Sequence, residues 1–141
     1  MAGLSDKHLC KLYRDAALVL FKGKCFFCGE DYRAVEIEVH HPTKRNNFLL
    51  KYSYRNAIPT CKWPKDEFAL SCHQFAETPN GKRKIDQYQE EKGYSDYLQE
   101  RSGRAKDWFV KHGISRKDYL LEMYTELKNI INGEYQESKE T

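Results

Sequence analysis

The sequence has no long hydrophobic run. Its longest apolar stretch covers only residues 16–21, whereas a membrane-spanning helix requires roughly 20 apolar residues. The first residues mix charged and polar side chains and lack the pattern of a signal peptide. These absences predict a chain without a membrane span or an export signal, and we expect it in the cytoplasm.

The sequence also lacks a strong charge of either sign and any internal repeat. Its formal net charge is +3 and its pI is near 8.5. A total this small says little about a nucleic-acid partner, so the distribution of the cations matters more than their sum. With 141 residues, of which 40% are hydrophobic and 32% are charged, the chain is long enough for a single domain with a buried core.

Five cysteines are present, and their context favours reduced thiols over disulfides. Cys10 stands apart from the others, and a chain without an export signal is expected in a reducing compartment. Cys25 and Cys28 form a C-x2-C pair followed by Gly29, a tight turn typical of one half of a tetrahedral zinc site. We expect Cys10, on the apolar side of the first predicted helix, to lie in the core.

The second half of such a zinc site has to come from Cys61 and Cys72. Residues 62–71 separate them, so this pair converges only through the folding of the chain. We predict a structural zinc site made of all four thiolates. Two alternatives remain open. In one, Cys61 or Cys72 is a small buried apolar side chain and His73 supplies the fourth ligand; in the other, no metal binds.

Hydrophobic periodicity predicts an α+β, helix-rich fold. A helix is predicted over 5–22 with Ser5 as its cap, and strict alternation of apolar and acidic residues predicts a strand over 35–39. A short second strand or turn is expected over 56–60, followed by a short helix from about Ser71. Residues 1–80 are therefore predicted to contain both strands and two of the helices.

The second half of the chain is predicted to be helical. A proline, an asparagine and a glycine at 79–81 predict a turn, which marks the end of the metal-site module. Helical segments are predicted over 85–101 and 107–111, and a helix with a continuous apolar stripe over 115–133. The expected organisation is an N-terminal helix in 1–23, the metal-site module in 24–80, a helical region in 81–133 and a flexible tail in 134–141.

The order of the chemically reactive residues resembles that of a known family. A C-x2-C pair is followed by a strand ending in His40, His41 and Pro42, then by Asn56 and Cys61, and then by Cys72 and His73 at the start of a helix. This order resembles the HNH endonucleases, whose fold is the ββα-metal finger, over about residues 24–80. The resemblance implies a small zinc-stapled ββα core flanked by N-terminal and C-terminal helices. It also implies a phage-like DNA nuclease, located in the host cytoplasm if the gene belongs to a phage.

The resemblance assigns a role to each of these side chains. His40 matches the ligand of the catalytic divalent metal, and His41 matches the general base that activates water. Asn56 matches the central asparagine that ties the loop and orients the base, or binds the metal in some members. His73 matches the metal ligand on the helix. The four cysteines match the structural zinc site that many members carry.

Two metal roles follow from the resemblance, a structural Zn²⁺ and a catalytic Mg²⁺. Phosphodiester hydrolysis needs a deprotonated water and a cation over the developing charge, and a neutral histidine is a suitable base near pH 7. Because imidazole is a softer ligand than Mg²⁺ prefers, Mn²⁺, Ni²⁺ or Zn²⁺ are alternatives for the catalytic ion.

Basic residues between the predicted base and the asparagine are candidate phosphate contacts. They are Lys44, Arg45, Lys51 and Arg55. They lie in a predicted loop or irregular hairpin over 42–55, where cations are able to follow a nucleic-acid backbone. Such cations equally serve to solvate a loop, and the sequence does not separate the two roles.

Two functions are compatible with this pattern. The first is a metal-dependent DNA endonuclease that hydrolyses phosphodiester bonds with a histidine base and one divalent ion. The second is a non-catalytic zinc-finger protein that binds nucleic acid or a protein partner. A single HNH site would ordinarily need a second copy or a second binding event to cut both strands, so a homodimer or a protein partner is compatible with the first function.

Overall fold

The structure is a computed structural model that describes residues 4–67 and 69–133. Within those ranges it has six α-helices and one antiparallel pair of strands, which confirms a helix-rich α+β fold. The tail predicted over 134–141 lies outside the described residues. The elements are α1 (Asp6–Leu20), β1 (Ile37–His40), a 3₁₀ turn (Tyr54–Asn56), β2 (Ile58–Cys61), α2 (Cys72–Ala76), α3 (Pro79–Glu91), α4 (Ser95–Glu100), α5 (Ala105–His112) and α6 (Arg116–Ile131). None of the described helices is long and apolar enough to cross a membrane.

The larger core lies between α1 and α6, the first and last helices. Ser5 caps α1 by accepting a hydrogen bond from the His8 backbone, and Ser115 caps α6 by accepting one from the Asp118 backbone. The buried side chains of α1 are Leu9, Leu12, Tyr13, Ala16 and Ala17, and those of α6 are Tyr119, Met123, Leu127 and Ile130. The N-terminal helix is therefore part of the main core.

β1 and β2 form the small sheet that carries the predicted site. Ile37 pairs with Cys61 and His40 pairs with Ile58, in antiparallel register. The strand predicted over 35–39 is displaced toward its C-terminal end and includes His40. His40 is therefore held by the strand ladder itself.

α2 packs against both strands of the sheet. A capping box fixes its start, in which the Gln74 backbone donates to Ser71 Oγ (3.0 Å) and the Ser71 backbone donates to Gln74 Oε1 (2.9 Å). The short helix predicted to start near Ser71 is confirmed. Cys72 and His73 consequently lie in the first turn of a helix that rests on the sheet.

The chain between α2 and α3 differs from the sequence prediction. The turn predicted at 79–81 is wrong, because these residues form the first turn of α3. Thr78 accepts a hydrogen bond from the Gly81 backbone (3.1 Å), and Pro79 takes the first helical position, where a missing amide hydrogen costs nothing. A Cβ on Gly81 would lie 2.0 Å from the Phe75 carbonyl oxygen, so glycine allows α3 to approach α2 closely. The expected end of the metal-site module falls inside a helix.

The helices predicted further along the chain are present with different ends. The segment predicted over 85–101 is divided between α3 and α4 at Gly93, whose φ of +79° is a left-handed conformation. The segments predicted over 107–111 and 115–133 correspond to α5 and α6. α3 packs against α2, and α5 and α6 contribute Trp108 and Tyr119 to the larger core.

Candidate functional site

Four thiols converge at one end of the sheet. The Sγ atoms of Cys25, Cys28, Cys61 and Cys72 all lie within 4.8 Å of one another. In a tetrahedral site with Zn–S bonds of about 2.3 Å, the sulfur atoms are about 3.8 Å apart. The quartet is therefore compatible with a single tetrahedral ion such as Zn²⁺, and the four thiols that the sequence groups together do lie together.

Local backbone geometry brings the first two thiols together. The Gly29 backbone donates to the Cys25 carbonyl (3.1 Å), and the Cys25 backbone donates to the Glu30 carbonyl (2.9 Å), which closes the turn around Cys28. Gly29 has a φ of +78°, a conformation that favours glycine. The C-x2-C-G pattern thus forms the tight knuckle that the sequence predicts.

The second pair of thiols is brought together by tertiary structure. Cys61 ends β2 and Cys72 begins α2. Just after Cys61, the Lys62 backbone donates to the Glu36 carbonyl (2.9 Å), so the segment between the two cysteines starts beside the residue that precedes β1. The long spacing is thus compatible with a single thiol cluster.

The thiols have different proton affinities. Burial alone would raise the pKa of Cys28, but a hydrogen bond involving the Glu30 backbone and hydrogen bonds with neighbouring thiols outweigh it and lower the pKa to about 7. Burial and hydrogen bonding to other cysteines raise the pKa of Cys72 to about 12, and burial raises that of Cys61 as well. An ion entering the quartet has to displace these protons, so its affinity depends on pH.

A cleft of about 540 Å³ opens beside β1 and the loop that follows it. Its walls come from α1, β1, the loop after β1, and α2 with its C-terminal cap. The lining residues are Cys10, Tyr13, Arg14, Glu38, Val39, His40, His41, Lys44, Arg45, His73 and Glu77. The cleft brings together all three histidines that the resemblance singled out and two of the four predicted phosphate contacts.

His40 and His73 face each other edge to face in this cleft, with 5.4 Å between their ring centroids. Each has a carboxylate near its Nδ1 atom: Glu77 Oε2 lies 3.8 Å from that of His40, and Glu38 Oε1 lies 3.3 Å from that of His73. A carboxylate hydrogen-bonded to one ring nitrogen fixes the tautomer of metal-ligating histidines. The distance at His73 is within hydrogen-bonding range, whereas that at His40 is too long for a direct hydrogen bond. Burial lowers the pKa of His40, which favours the neutral form that a metal ligand needs.

His41 is held on two sides. Its ring is stacked on that of Tyr13, with 4.6 Å between centroids and 13° between planes. Its Nε2 atom lies 3.1 Å from the Lys51 carbonyl oxygen. Because a carbonyl only accepts hydrogen bonds, Nε2 carries the proton in the neutral ring and Nδ1 carries the lone pair. Burial lowers the pKa of His41 to about 4.

Asn56 joins the two ends of the loop between the strands. Its Oδ1 accepts from the Thr43 backbone (2.9 Å), and its Nδ2 donates to the carbonyls of Thr43 (2.9 Å) and Leu50 (3.2 Å). The Asn56 side chain is fully buried. This is the loop-tying geometry that the resemblance implies, and through Leu50 it steadies the neighbouring Lys51 carbonyl.

The four predicted phosphate contacts lie in three different environments. Lys44 and Arg45 are exposed and line the cleft. Lys44 Nζ lies 2.9 Å from Glu77 Oε2. Lys51 Nζ, in contrast, lies 2.7 Å from Asp6 on α1.

Arg55 is an interior residue. Its guanidinium is 3.3 Å from Glu126 on α6, and it packs against the rings of Tyr54 and Tyr97. With a side chain that is only 17% exposed, it does not reach the cleft. The expectation that Arg55 contacts phosphate is therefore not supported, because this cation is already used to hold the loop to the helical core.

Sequence reasoning missed several cleft residues. Glu77 lies four residues after His73, a spacing that puts two side chains on one helical face, so this carboxylate was detectable from the pattern. Glu38 was detectable as the residue that alternates with His40 along the strand. Tyr13 and Arg14 carry no local signal, because α1 reaches the cleft only through tertiary packing.

No protein-family model matches this chain, and neither a curated protein nor a solved structure matches it. These comparisons therefore lend no support to the HNH resemblance. Inference about function rests on the thiol quartet and on the histidine cleft.

Proposed function

We propose that this chain is a metal-dependent DNA endonuclease of the HNH type. The observation that carries the proposal is that His40, His41 and His73 line a single cleft together with exposed cations. The succession of β1, β2 and α2, with four thiols at one end, is the arrangement expected of a zinc-stapled ββα-metal finger. In this account Zn²⁺ in the quartet is structural and a second ion at the cleft is catalytic.

The donor set of the cleft fits a divalent cation. His40 and His73 would hold it through imidazole nitrogens, with the carboxylates of Glu77 and Glu38 beside them. Such an ion supplies Lewis-acid stabilisation of the charge that develops on the phosphate and on the leaving oxygen. Two imidazoles favour Mn²⁺, Ni²⁺ or Zn²⁺ over Mg²⁺ in affinity.

His41 is the proposed general base. The Lys51 carbonyl fixes the proton on Nε2, which leaves the Nδ1 lone pair to accept a proton from the attacking water. The lowered pKa keeps the ring unprotonated at neutral pH in the absence of substrate. A bound phosphate would bring negative charge into the cleft, and negative charge raises the proton affinity of a nearby imidazole.

The exposed cations of the cleft are the proposed substrate contacts. Arg45 and Lys44 follow the proposed base along the chain and line the same wall. Lys44 is paired with Glu77 at the surface, and such exposed pairs contribute little stability, so a phosphate is able to replace the carboxylate. Arg14 adds a cation from α1. These three positive charges would hold the DNA backbone and carry no base specificity of their own.

The experiment that tests the proposal is cleavage of supercoiled plasmid by the zinc-loaded protein, with Mg²⁺, Mn²⁺, Ni²⁺ or no added ion. We expect nicking that depends on the added ion, because one cleft acts on one strand at a time. His40→Ala and His73→Ala should abolish it with zinc content unchanged, whereas His112→Ala, on α5 and outside the cleft, should not. Absence of nicking with every ion would instead favour a non-catalytic zinc-binding protein.

A further inference from the structure

Tyr13 of α1 contacts the histidine cleft from outside the ββα finger. Its ring lies parallel to that of His41, with 4.6 Å between centroids, and its side chain is buried. Its hydroxyl donates a hydrogen bond to the Asn56 carbonyl oxygen (2.5 Å). One side chain thus contacts both the proposed base and the residue that ties the loop.

We propose that Tyr13 is a positioning residue that fixes the plane of the His41 imidazole, so that Nδ1 points at the attacking water. This inference rests on the proposed function and adds a residue to it. A single hydrogen bond from Nε2 to the Lys51 carbonyl fixes one point of the ring and leaves its plane free to tilt. A parallel aromatic face within contact distance fixes the plane as well.

The contacts of Tyr13 also reach the acceptor of that hydrogen bond. Asn56 donates to the Leu50 carbonyl, and the next carbonyl along the chain, that of Lys51, accepts the hydrogen bond from His41 Nε2. The Tyr13 hydroxyl holds the Asn56 backbone in turn. Tyr13 of α1 therefore holds both the His41 ring and, through Asn56, the segment that carries its hydrogen-bond acceptor. In this way α1 contributes to the position of the proposed base.

A purely space-filling role for Tyr13 predicts a different effect of substitution. Tyr13 belongs to the α1–α6 core, and a residue that only fills space there would affect stability and substrate binding without a specific effect on proton transfer. Tyr13→Phe keeps the ring and removes the hydroxyl, whereas Tyr13→Leu removes the aromatic face and keeps an apolar side chain. Comparing the two variants separates the stacking contact from the hydrogen bond.

The test measures kcat and KM for nicking by the zinc-loaded full chain and both variants, together with the imidazole ¹⁵N resonances of His41. We expect Tyr13→Phe to change kcat by no more than about tenfold. Tyr13→Leu should lower kcat by about 10-fold to 100-fold with KM within about twofold, since small misplacements of a reacting group have effects of this size. The hydrogen bond to Lys51 should give one Nε2–H tautomer in the unmodified protein. In Tyr13→Leu the ring is free to tilt away from this acceptor, so the two tautomers should average.

Several outcomes would overturn the positioning role. These are an unchanged kcat in Tyr13→Leu, an effect confined to KM, or His41 resonances that already average between tautomers in the unmodified protein. Averaging in the unmodified protein would overturn the role even if Tyr13→Leu fails to fold. If the unmodified protein cuts with no ion, the proposed function fails, while comparison of the His41 resonances in the unmodified protein and in Tyr13→Leu still shows whether Tyr13 fixes the ring.

Discussion

The Sγ atoms of Cys28 and Cys61 lie 3.3 Å apart, although 33 positions separate the two residues in the sequence. Cys28 belongs to the knuckle before β1, and Cys61 is the last residue of β2. Their approach depends on the whole strand pair being in register. An ion bound here would join the knuckle before β1 to the end of β2, so metal binding and folding of this region should be coupled.

Removing one thiol should therefore remove both the zinc and much of the stability. We expect one Zn²⁺ per chain in the unmodified protein and little or none in Cys61→Ser. The loss of stability should be several kcal/mol, up to on the order of 10 kcal/mol for a tightly bound structural ion. Zinc content by atomic emission and urea unfolding check both expectations. Cys10→Ala, which lies outside the quartet, is the control, and equal zinc in all three proteins would contradict the quartet.

Asn56→Ala should destabilise the loop between the strands. The substitution removes three hydrogen bonds and leaves the Thr43 backbone groups and the Leu50 carbonyl without their partner. Unsatisfied buried groups of this kind cost about 1–3 kcal/mol each, so we expect a total loss of about 3–5 kcal/mol. Urea unfolding measures it. Asn46→Ala, at an exposed position of the same loop, should change stability by less than about 0.5 kcal/mol. Similar losses in both variants would show that the loop does not depend on Asn56.

The two arginines of the loop should behave oppositely on substitution. Arg55→Ala leaves the half-buried Glu126 without its partner and should cost about 1–3 kcal/mol of stability. Arg45→Ala should leave stability nearly unchanged, because the side chain is exposed, and should weaken DNA binding and its salt dependence. Thermal unfolding and a salt titration of DNA binding separate the two effects. A normal stability for Arg55→Ala, or an unchanged DNA affinity for Arg45→Ala, would contradict these roles.

The grouping of the four thiols and the start of α2 were predictable from the sequence, but the contribution of the first helix was not. The knuckle is predictable from Cys25, Cys28 and Gly29, and the capped helix is predictable from Ser71. Both motifs depend on backbone geometry within a few residues. Tyr13 reaches His41 only through the packing of α1, for which a single sequence carries no signal.

The errors have physical causes of the same kind. Proline, asparagine and glycine at 79–81 are common turn residues. Thr78, however, caps a helix and proline suits its first position, so these three residues begin α3. Arg55 is one of four similar cations in sequence. Only the tertiary structure shows that Arg55 is paired with Glu126, whereas Arg45 lines the cleft.

The buried imidazole of His41 should make stability depend on pH. Its pKa in the folded protein is about 4, below the ordinary value of 6.5, so the folded state favours the neutral ring. The stabilisation is fully present above pH 6.5 and is lost as the pH falls toward 4, by at most about 3 kcal/mol. The difference in unfolding free energy between the unmodified protein and His41→Gln, measured at several pH values without added divalent ions, should shrink over that interval. A His41 resonance that titrates near 6.5 would contradict this prediction.

The measurement that tests the central claim most directly is the single-turnover rate of plasmid nicking by the zinc-loaded protein and by His41→Ala at equal zinc content. A general base contributes about 10²-fold to 10⁴-fold, so the account predicts a loss of at least about 10²-fold in His41→Ala, with the rate of His112→Ala close to that of the unmodified protein. Equal rates for the unmodified protein and His41→Ala, or no nicking by the unmodified protein with any divalent ion, would contradict it.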